Sequence, residues 1–268
     1  MLKLNIDQEL EIIELKRQKV PLKVIMEKFN IKSAKTIYDV IDRNGREHFI
    51  ANKKYSVNEN YFDKINNEEK SYWLGFLYAD GYVRLKDNKS GELKLKLQRS
   101  DKNHIVLFNE CLSSNYPIKN EISKVKYKNK VSVSEYSAVS IYNTKLVKDL
   151  IKHGCLNNKT FKLEFPLLDD SLMRHFIRGY FDGDGCIYKV KKQEKSNQIT
   201  IVGNNNFIDS LKLYLINKLN INRINIKKNN NYKYLRICNI DDCKKIKHYF
   251  YNDSTIFLKR KKDIFDKI

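Results

Sequence analysis

Trp73-Leu-Gly-Phe-Leu-Tyr-Ala-Asp80-Gly81 and Ile177-Arg-Gly-Tyr-Phe-Asp-Gly-Asp184-Gly185 are two copies of one pattern, an apolar helix-like run that ends in Asp-Gly. The second copy lies 104 positions after the first, so each falls near the start of one half of an internal repeat. In each copy two small residues stand four apart, Gly75 with Ala79 and Gly179 with Gly183. That spacing puts both on one helical face, where a second helix can approach almost backbone to backbone. If the two helices pack on these faces, Asp80 and Asp184 emerge side by side at the same end.

A helix C-terminus carries partial negative charge, and two carboxylates meeting there also repel each other. Such a pair is stable mainly when cations fill the space between. Hard divalent ions such as Mg²⁺ take oxygen ligands and keep several waters, which suits Asp80 and Asp184 with the backbone carbonyls of Ala79 and Gly183. Two or more shared metals beside a scissile phosphate are the apparatus of hydrolytic nucleases. A single Asp-Gly after a helix reads equally well as an ordinary C-terminal cap. Two copies with their small pairs in matching register favour paired helices.

The rest of the chain is compatible with a polyanionic partner. The formal net charge is +20, although 42 of the 52 basic residues are Lys and an AT-rich coding sequence would give the same bias. The excess over 32 acids still leaves a strongly positive surface, which points to nucleic acid. Cys111, Cys155, Cys186, Cys238 and Cys243 show no paired CxxC spacing for zinc, and their odd number suggests reduced thiols. No apolar run reaches ~18 residues, so neither a membrane span nor a secretory signal is expected, and the reading is a soluble, intracellular protein of the cytoplasm or an organellar matrix. The five His are scattered and no Ser or Cys elbow is visible, so nucleophilic catalysis is not suggested.

Residues 1–46 read as a small all-α domain. Asp7–Lys19 suggests one helix, Pro21 starts a second over Leu22–Phe29, and Ser33 caps a third that runs to Arg43. This order resembles a helix-turn-helix, with Lys35, Thr36 and Tyr38 near the start of its recognition helix as candidate DNA contacts. A generic three-helix module is the alternative. Residues 47–66 read as a linker, and 67–268 as the core, in halves 67–166 and 167–268.

After Asp80 the chain switches to period two. Tyr82–Lys86 and Leu93–Leu97 alternate apolar with basic, Asp101–Ser113 reads as a helix, Ile122–Lys128 and Val133–Tyr142 as strands, and Asn143–Gly154 as a closing helix. The second half repeats α-β-β-α-β-β-α. The expected class is therefore α+β, a pseudo-two-fold pair of such halves forming a saddle over DNA. Alternation nominates Arg84, Lys94, Lys96, Lys124, Lys126, Lys189, Lys191 and Arg236 as base or phosphate contacts from its sheets.

The two Asp-Gly segments resemble the signature nonamer of the LAGLIDADG homing endonucleases, in its two-copy, single-chain form. The resemblance covers the core and puts the eighth, catalytic position on Asp80 and Asp184. Its sixth position, often acidic, is Tyr78 in one copy and Asp182 in the other. It implies a monomeric, Mg²⁺-dependent, site-specific endonuclease that cuts both strands of a long, near-asymmetric duplex site and leaves short 3′ overhangs. The family also places a basic residue after the last helix of each half, which can offset charge growing on phosphorus. Lys159 within Asn157-Asn-Lys159-Thr160, and Lys261 in preference to Lys259, hold those places. Rival implications are an RNA maturase acting on intron RNA, or a non-cleaving DNA-binding regulator. Two retained, mutually repelling aspartates argue against the regulator.

Overall fold

The structure, a computed structural model, describes residues 4–44, 54–127, 130–156, 162–189, 197–221, 223–230 and 232–267. It forms two compact units, Met1–Lys54 and Tyr55–Ile268. The smaller unit packs three helices, α1 (Ile6–Arg17), α2 (Leu22–Lys28) and α3 (Ala34–Arg43), around Ile12, Ile25, Ile37 and Val40. Local chemistry sets their ends. Asn5 and Gln8 form a reciprocal capping box on α1, and the Ser33 hydroxyl accepts from the Lys35 amide at 3.2 Å.

The larger unit runs α4 (Glu68–Asp80), β1 (Gly81–Lys86), β2 (Ser90–Gln98), α5 (Lys102–Cys111), β3 (Ile118–Tyr127), β4 (Lys130–Tyr142) and α6 (Thr144–Lys152). It then repeats the order with α7 (Asp170–Asp184), β5 (Gly185–Lys189), β6 (Asn197–Gly203), α8 (Asn205–Leu219), β7 (Ile224–Asn229), β8 (Tyr232–Ile237) and α9 (Ile240–Tyr251). Each half forms one antiparallel four-stranded sheet, in the matching orders β1-β2-β4-β3 and β5-β6-β8-β7. The α+β repeat expected from the sequence is thus the architecture observed.

Period-two alternation explains why each sheet has a dry face. Val83, Leu93, Leu95, Val139 and Ile141 point inward in the first half, and Ile187, Ile199, Ile201, Leu235 and Ile237 in the second. Both sets join one continuous core with α4 and α7.

Two features differ from the sequence reading. Part of the stretch read as linker belongs to the core unit: Tyr61 and Phe62 are buried, and the Ser56 and Asn58 amides donate to Asn115 and to the Leu112 carbonyl at 2.6 and 2.9 Å. Aromatic residues spaced within a charged segment outweigh its polar composition, because each gains core contact. A short helix, α10 (Lys259–Phe265), also follows the helix expected to close the second half. Its lysine-rich sequence conceals a buried side made by Lys261 and Phe265.

Candidate active site

Helices α4 and α7 touch through the small residues that mark each motif. A Cβ on Gly75 would stand 2.0 Å from the Phe176 carbonyl oxygen, and one on Gly179 2.0 Å from that of Tyr72. One on Gly183 would lie 2.2 Å from the Ala79 Cβ and 3.3 Å from Asp80 Oδ2. No Cβ fits at these three places, so the two backbones meet directly and the helices end together.

The chain turns into a strand immediately afterwards in both copies. The Gly81 amide returns to the Leu77 carbonyl and the Gly185 amide to that of Phe181. This brings Asp80 and Asp184 to one end of the pair, Asp80 exposed and Asp184 half-buried. Burial and then the charges of Asp184 and Asp80 push the Tyr180 hydroxyl well above its ordinary value, so both carboxylates act on one ring. Beside Asp184 opens a cavity of about 430 Å³, lined in part by Tyr78, Ala79, Tyr180, Tyr232 and Tyr234.

Among the described residues no three His, Cys, Asp or Glu side chains converge as a metal cluster. The donor set at this end is two carboxylates and the carbonyls of two helix C-termini, all hard oxygens, which fits Mg²⁺-type ions that retain water. One nominated donor is shared. The Gly183 carbonyl accepts from Lys261 Nζ at 3.2 Å.

Lys261 is 4% exposed, and its Nζ also donates to the carbonyls of Phe181, Asp182 and Gly185, each at 2.6 Å. It therefore caps the negative end of α7 with a full positive charge. Burial pulls its pKa down to about 8, against the opposing pull of Asp182, Asp80 and Asp184. A lysine engaged by main-chain carbonyls holds the α7 terminus in place and sets the potential around Asp184. Lys159, the other basic residue nominated from sequence, lies outside the described residues.

The sixth motif positions are both tethers, by different chemistry. Tyr78 donates to the His153 carbonyl at 2.5 Å, fixing the chain that leaves α6. Asp182, 1% exposed, accepts the Leu258 amide at 2.6 Å and so fixes the start of α10. Asp182 also accepts the Tyr72 hydroxyl at 2.8 Å, which ties α7 to α4. Burial raises its carboxyl to about 6, opposed by Lys261 and the Leu258 amide. Since a hydroxyl has one proton, His104 Nε2, 2.9 Å from the same Tyr72 oxygen, must be the donor there.

Arg178 was not singled out from the sequence, although an arginine inside an apolar motif run was a usable signal. It is fully buried and donates to Glu68 (2.6 Å), the Phe250 carbonyl (2.7 Å) and the Ile256 carbonyl (2.9 Å). Glu68, at the start of α4, also accepts the Thr255 amide at 2.9 Å. Arg178, Glu68, Asp182 and Lys261 make a charge-balanced group that binds both motif helices to residues 250–261.

Strand register sorts the candidate DNA contacts. Residues paired across an antiparallel ladder share a face. Tyr82 pairs with Lys94, Arg84 with Glu92, Lys94 with Ser140 and Lys96 with Ala138, so Arg84, Lys94 and Lys96 stand together on the outer face. Lys124 and Lys126 pair with Val133 and Val131, which share the inward parity of Val139 and Ile141, and so stand on the opposite face. The reason is Ile118: it docks in the core and fixes the even residues of β3 inward, although the helices do not reach as far as the two lysines. In the second sheet Arg236 pairs with Thr200 and Asn225 on the outer face, and sequence reading missed Lys227, which joins it opposite Tyr234. Arg236 Nε is buried without a hydrogen-bond partner among the described residues, and its guanidinium lies 5.9 Å from the Tyr234 ring. The Lys189 side chain and all of Lys191 lie outside the described residues. In the smaller unit, Lys35, Thr36 and Tyr38 stand in the first turns of α3, with Tyr38 exposed.

Residues 171–251 match the model of the LAGLIDADG-like domain. No curated protein matches the chain in sequence. Among solved structures, the homing endonuclease I-WcaI bound to its DNA recognition sequence is 16% identical, with a TM-score of 0.51 over 76% of this chain and 91% of its own. The meganuclease I-SmaMI bound to uncleaveable DNA with a TTGT central four is 14% identical, with a TM-score of 0.50 over 76% of this chain and 89% of its own. The core of this chain thus has the LAGLIDADG fold, and its second half carries the LAGLIDADG-like domain.

Proposed function

We propose that the chain is a site-specific double-strand DNA endonuclease of the homing type, acting at Asp80 and Asp184. The observation that carries this reading is the backbone contact of α4 and α7, with Asp80 Oδ2 3.3 Å from the place of a Gly183 Cβ. That contact ends both helices together, with an acid on each, where each would serve one strand of a duplex. Asp80 and Asp184, with the Ala79 and Gly183 carbonyls, would hold divalent metal; when bound, Mg²⁺ supplies an activated water and neutralises charge at the scissile phosphate.

The chain's own groups do the remaining work. Lys261 offsets the negative end of α7, where the Asp184 carboxylate stands. Lys159 is proposed as the basic residue of the first half that offsets charge growing on the scissile phosphorus. Arg84, Lys94, Lys96 and Arg236 would neutralise phosphates or reach guanine edges from the outer sheet faces, and Lys35, Thr36 and Tyr38 would add contacts at one flank as a helix-turn-helix. Lys124 and Lys126 stand on the far face of the first sheet and would contribute to the field rather than to base contacts.

The test is cleavage of a randomised duplex library in Mg²⁺ and in EDTA. Metal-dependent double-strand cuts at one long site support the reading. Specific duplex binding without cleavage under any divalent ion would make the chain a regulator. Specific binding of structured RNA without duplex binding would favour the maturase.

A further inference from the structure

A carboxylate stands where a phosphate-binding surface has no use for one. Glu121 on β3 pairs with Tyr136 on β4 and so shares the outer face with Lys94 and Lys96. Each oxygen takes one lysine: Oε1 accepts from Lys94 Nζ at 2.9 Å, Oε2 from Lys96 Nζ at 2.8 Å. Lys96 Nζ also lies 4.4 Å from the centroid of the Tyr136 ring, so its direction is set from two sides. All three charged side chains are about one-third exposed, so the cluster is open to a ligand laid along the sheet.

This arrangement costs affinity for a bare polyanion. Glu121 repels phosphate and at the same time occupies the two lysines that would neutralise it. A base edge changes the balance. A carboxylate is acceptor-only, and the major-groove edge of cytosine presents an amino donor, while its paired guanine presents the O6 and N7 acceptors that lysine reads. Accepting two lysines at once leaves further lone pairs on Glu121 for that amino group.

We infer that Glu121, with Lys94 and Lys96, is a base-reading cluster that selects a C·G pair in the half-site under the first sheet, Glu121 accepting from cytosine N4 and a flanking lysine donating to the guanine. This rests on the endonuclease reading and deepens it by naming a specificity-determining residue. Glu121 holds both lysines in place before DNA arrives, so less side-chain freedom is lost on binding.

The experiment compares the wild-type chain with Glu121→Gln and Glu121→Ala. Each is selected in EDTA against a randomised duplex library, and then measured on every single-base variant of the selected site. Glu121 is on the surface, so both variants keep the fold; thermal unfolding checks this. The expected result is one position at which the wild type prefers C·G by about tenfold. Glu121→Gln moves that preference to A·T, because a glutamine amide matches the adenine N6 and N7 edge. Glu121→Ala removes it. If all three chains share one preference profile and the variants simply bind every duplex more tightly, Glu121 is a repulsive brake and the inference is wrong. If the wild type selects no duplex sequence at all, the endonuclease reading itself fails and takes this inference with it.

Discussion

Gly179→Ala sets two effects of opposite sign against each other. Alanine in a helix interior is favoured over glycine by about 1 kcal/mol. Here the new Cβ would stand 2.0 Å from the Tyr72 carbonyl oxygen and 2.9 Å from the Phe76 nitrogen, both backbone atoms that cannot rotate away. Ordinary contact begins at 3.4 Å, so α4 and α7 must part by about 1.4 Å. Overpacking of this kind costs about 1–3 kcal/mol and occasionally more, and contact with rigid backbone belongs at the upper end. The net expectation is a loss of about 2 kcal/mol, which for a core of this size lowers Tm by about 4–8 °C. Catalysis suffers more than stability, since displacement of a reacting group by about 1 Å costs about 100-fold. Melting curves and duplex cleavage well below Tm measure the two losses. A variant that is stabilised by about 1 kcal/mol and cuts at the wild-type rate would refute the argument that the helices meet backbone to backbone.

Three further outcomes follow from the buried polar groups. Arg178→Met strands Glu68 and two carbonyls, and urea unfolding should show a loss of about 3–5 kcal/mol; a loss below about 1 kcal/mol would mean the network is not formed. His104 is held neutral by burial, and by Arg260, which bring its pKa down to about 3 from an ordinary 6.5. The unfolded chain takes up the proton first, so stability falls as pH drops from about 6.5 toward 3, by about 1.4 kcal/mol per pH unit, and His104→Gln should flatten this slope in acid unfolding curves. Lys261→Met leaves the carbonyls of Phe181, Asp182, Gly183 and Gly185 without their shared donor; a destabilisation of about 1–3 kcal/mol is expected, with a slower cut on one labelled strand than on the other.

The repeat and its central contact were legible because small residues at i and i+4, followed by Asp-Gly, restrict the packing of a helix pair without outside information. The four-stranded halves were legible because alternation in β1 and β2 is clean. Parity in β3 was not, since Ile122 and Val125 put an apolar side chain on each face, and only the docking of Ile118 decides between them. The tether roles of Tyr78 and Asp182 were hidden for another reason. Their partners, the His153 carbonyl and the Leu258 amide, are 75 and 76 positions away and are backbone atoms that carry no sequence signal. Lys261, a candidate for chemistry at phosphorus, is buried against four carbonyls at the end of α7, and those partners too are backbone atoms without a sequence signal.

The most direct measurement is strand-resolved cleavage of the selected duplex in Mg²⁺ by the wild type, Asp80→Asn and Asp184→Asn. Asparagine keeps the shape of each side chain and removes only its charge, so the helix contact is preserved. Two acids shared at one helix end predict that the wild type cuts both strands and that each variant, still bound to the site and still folded, nicks one strand or cuts neither. Double-strand cleavage by either variant at the wild-type rate would contradict the assignment of catalysis to this pair.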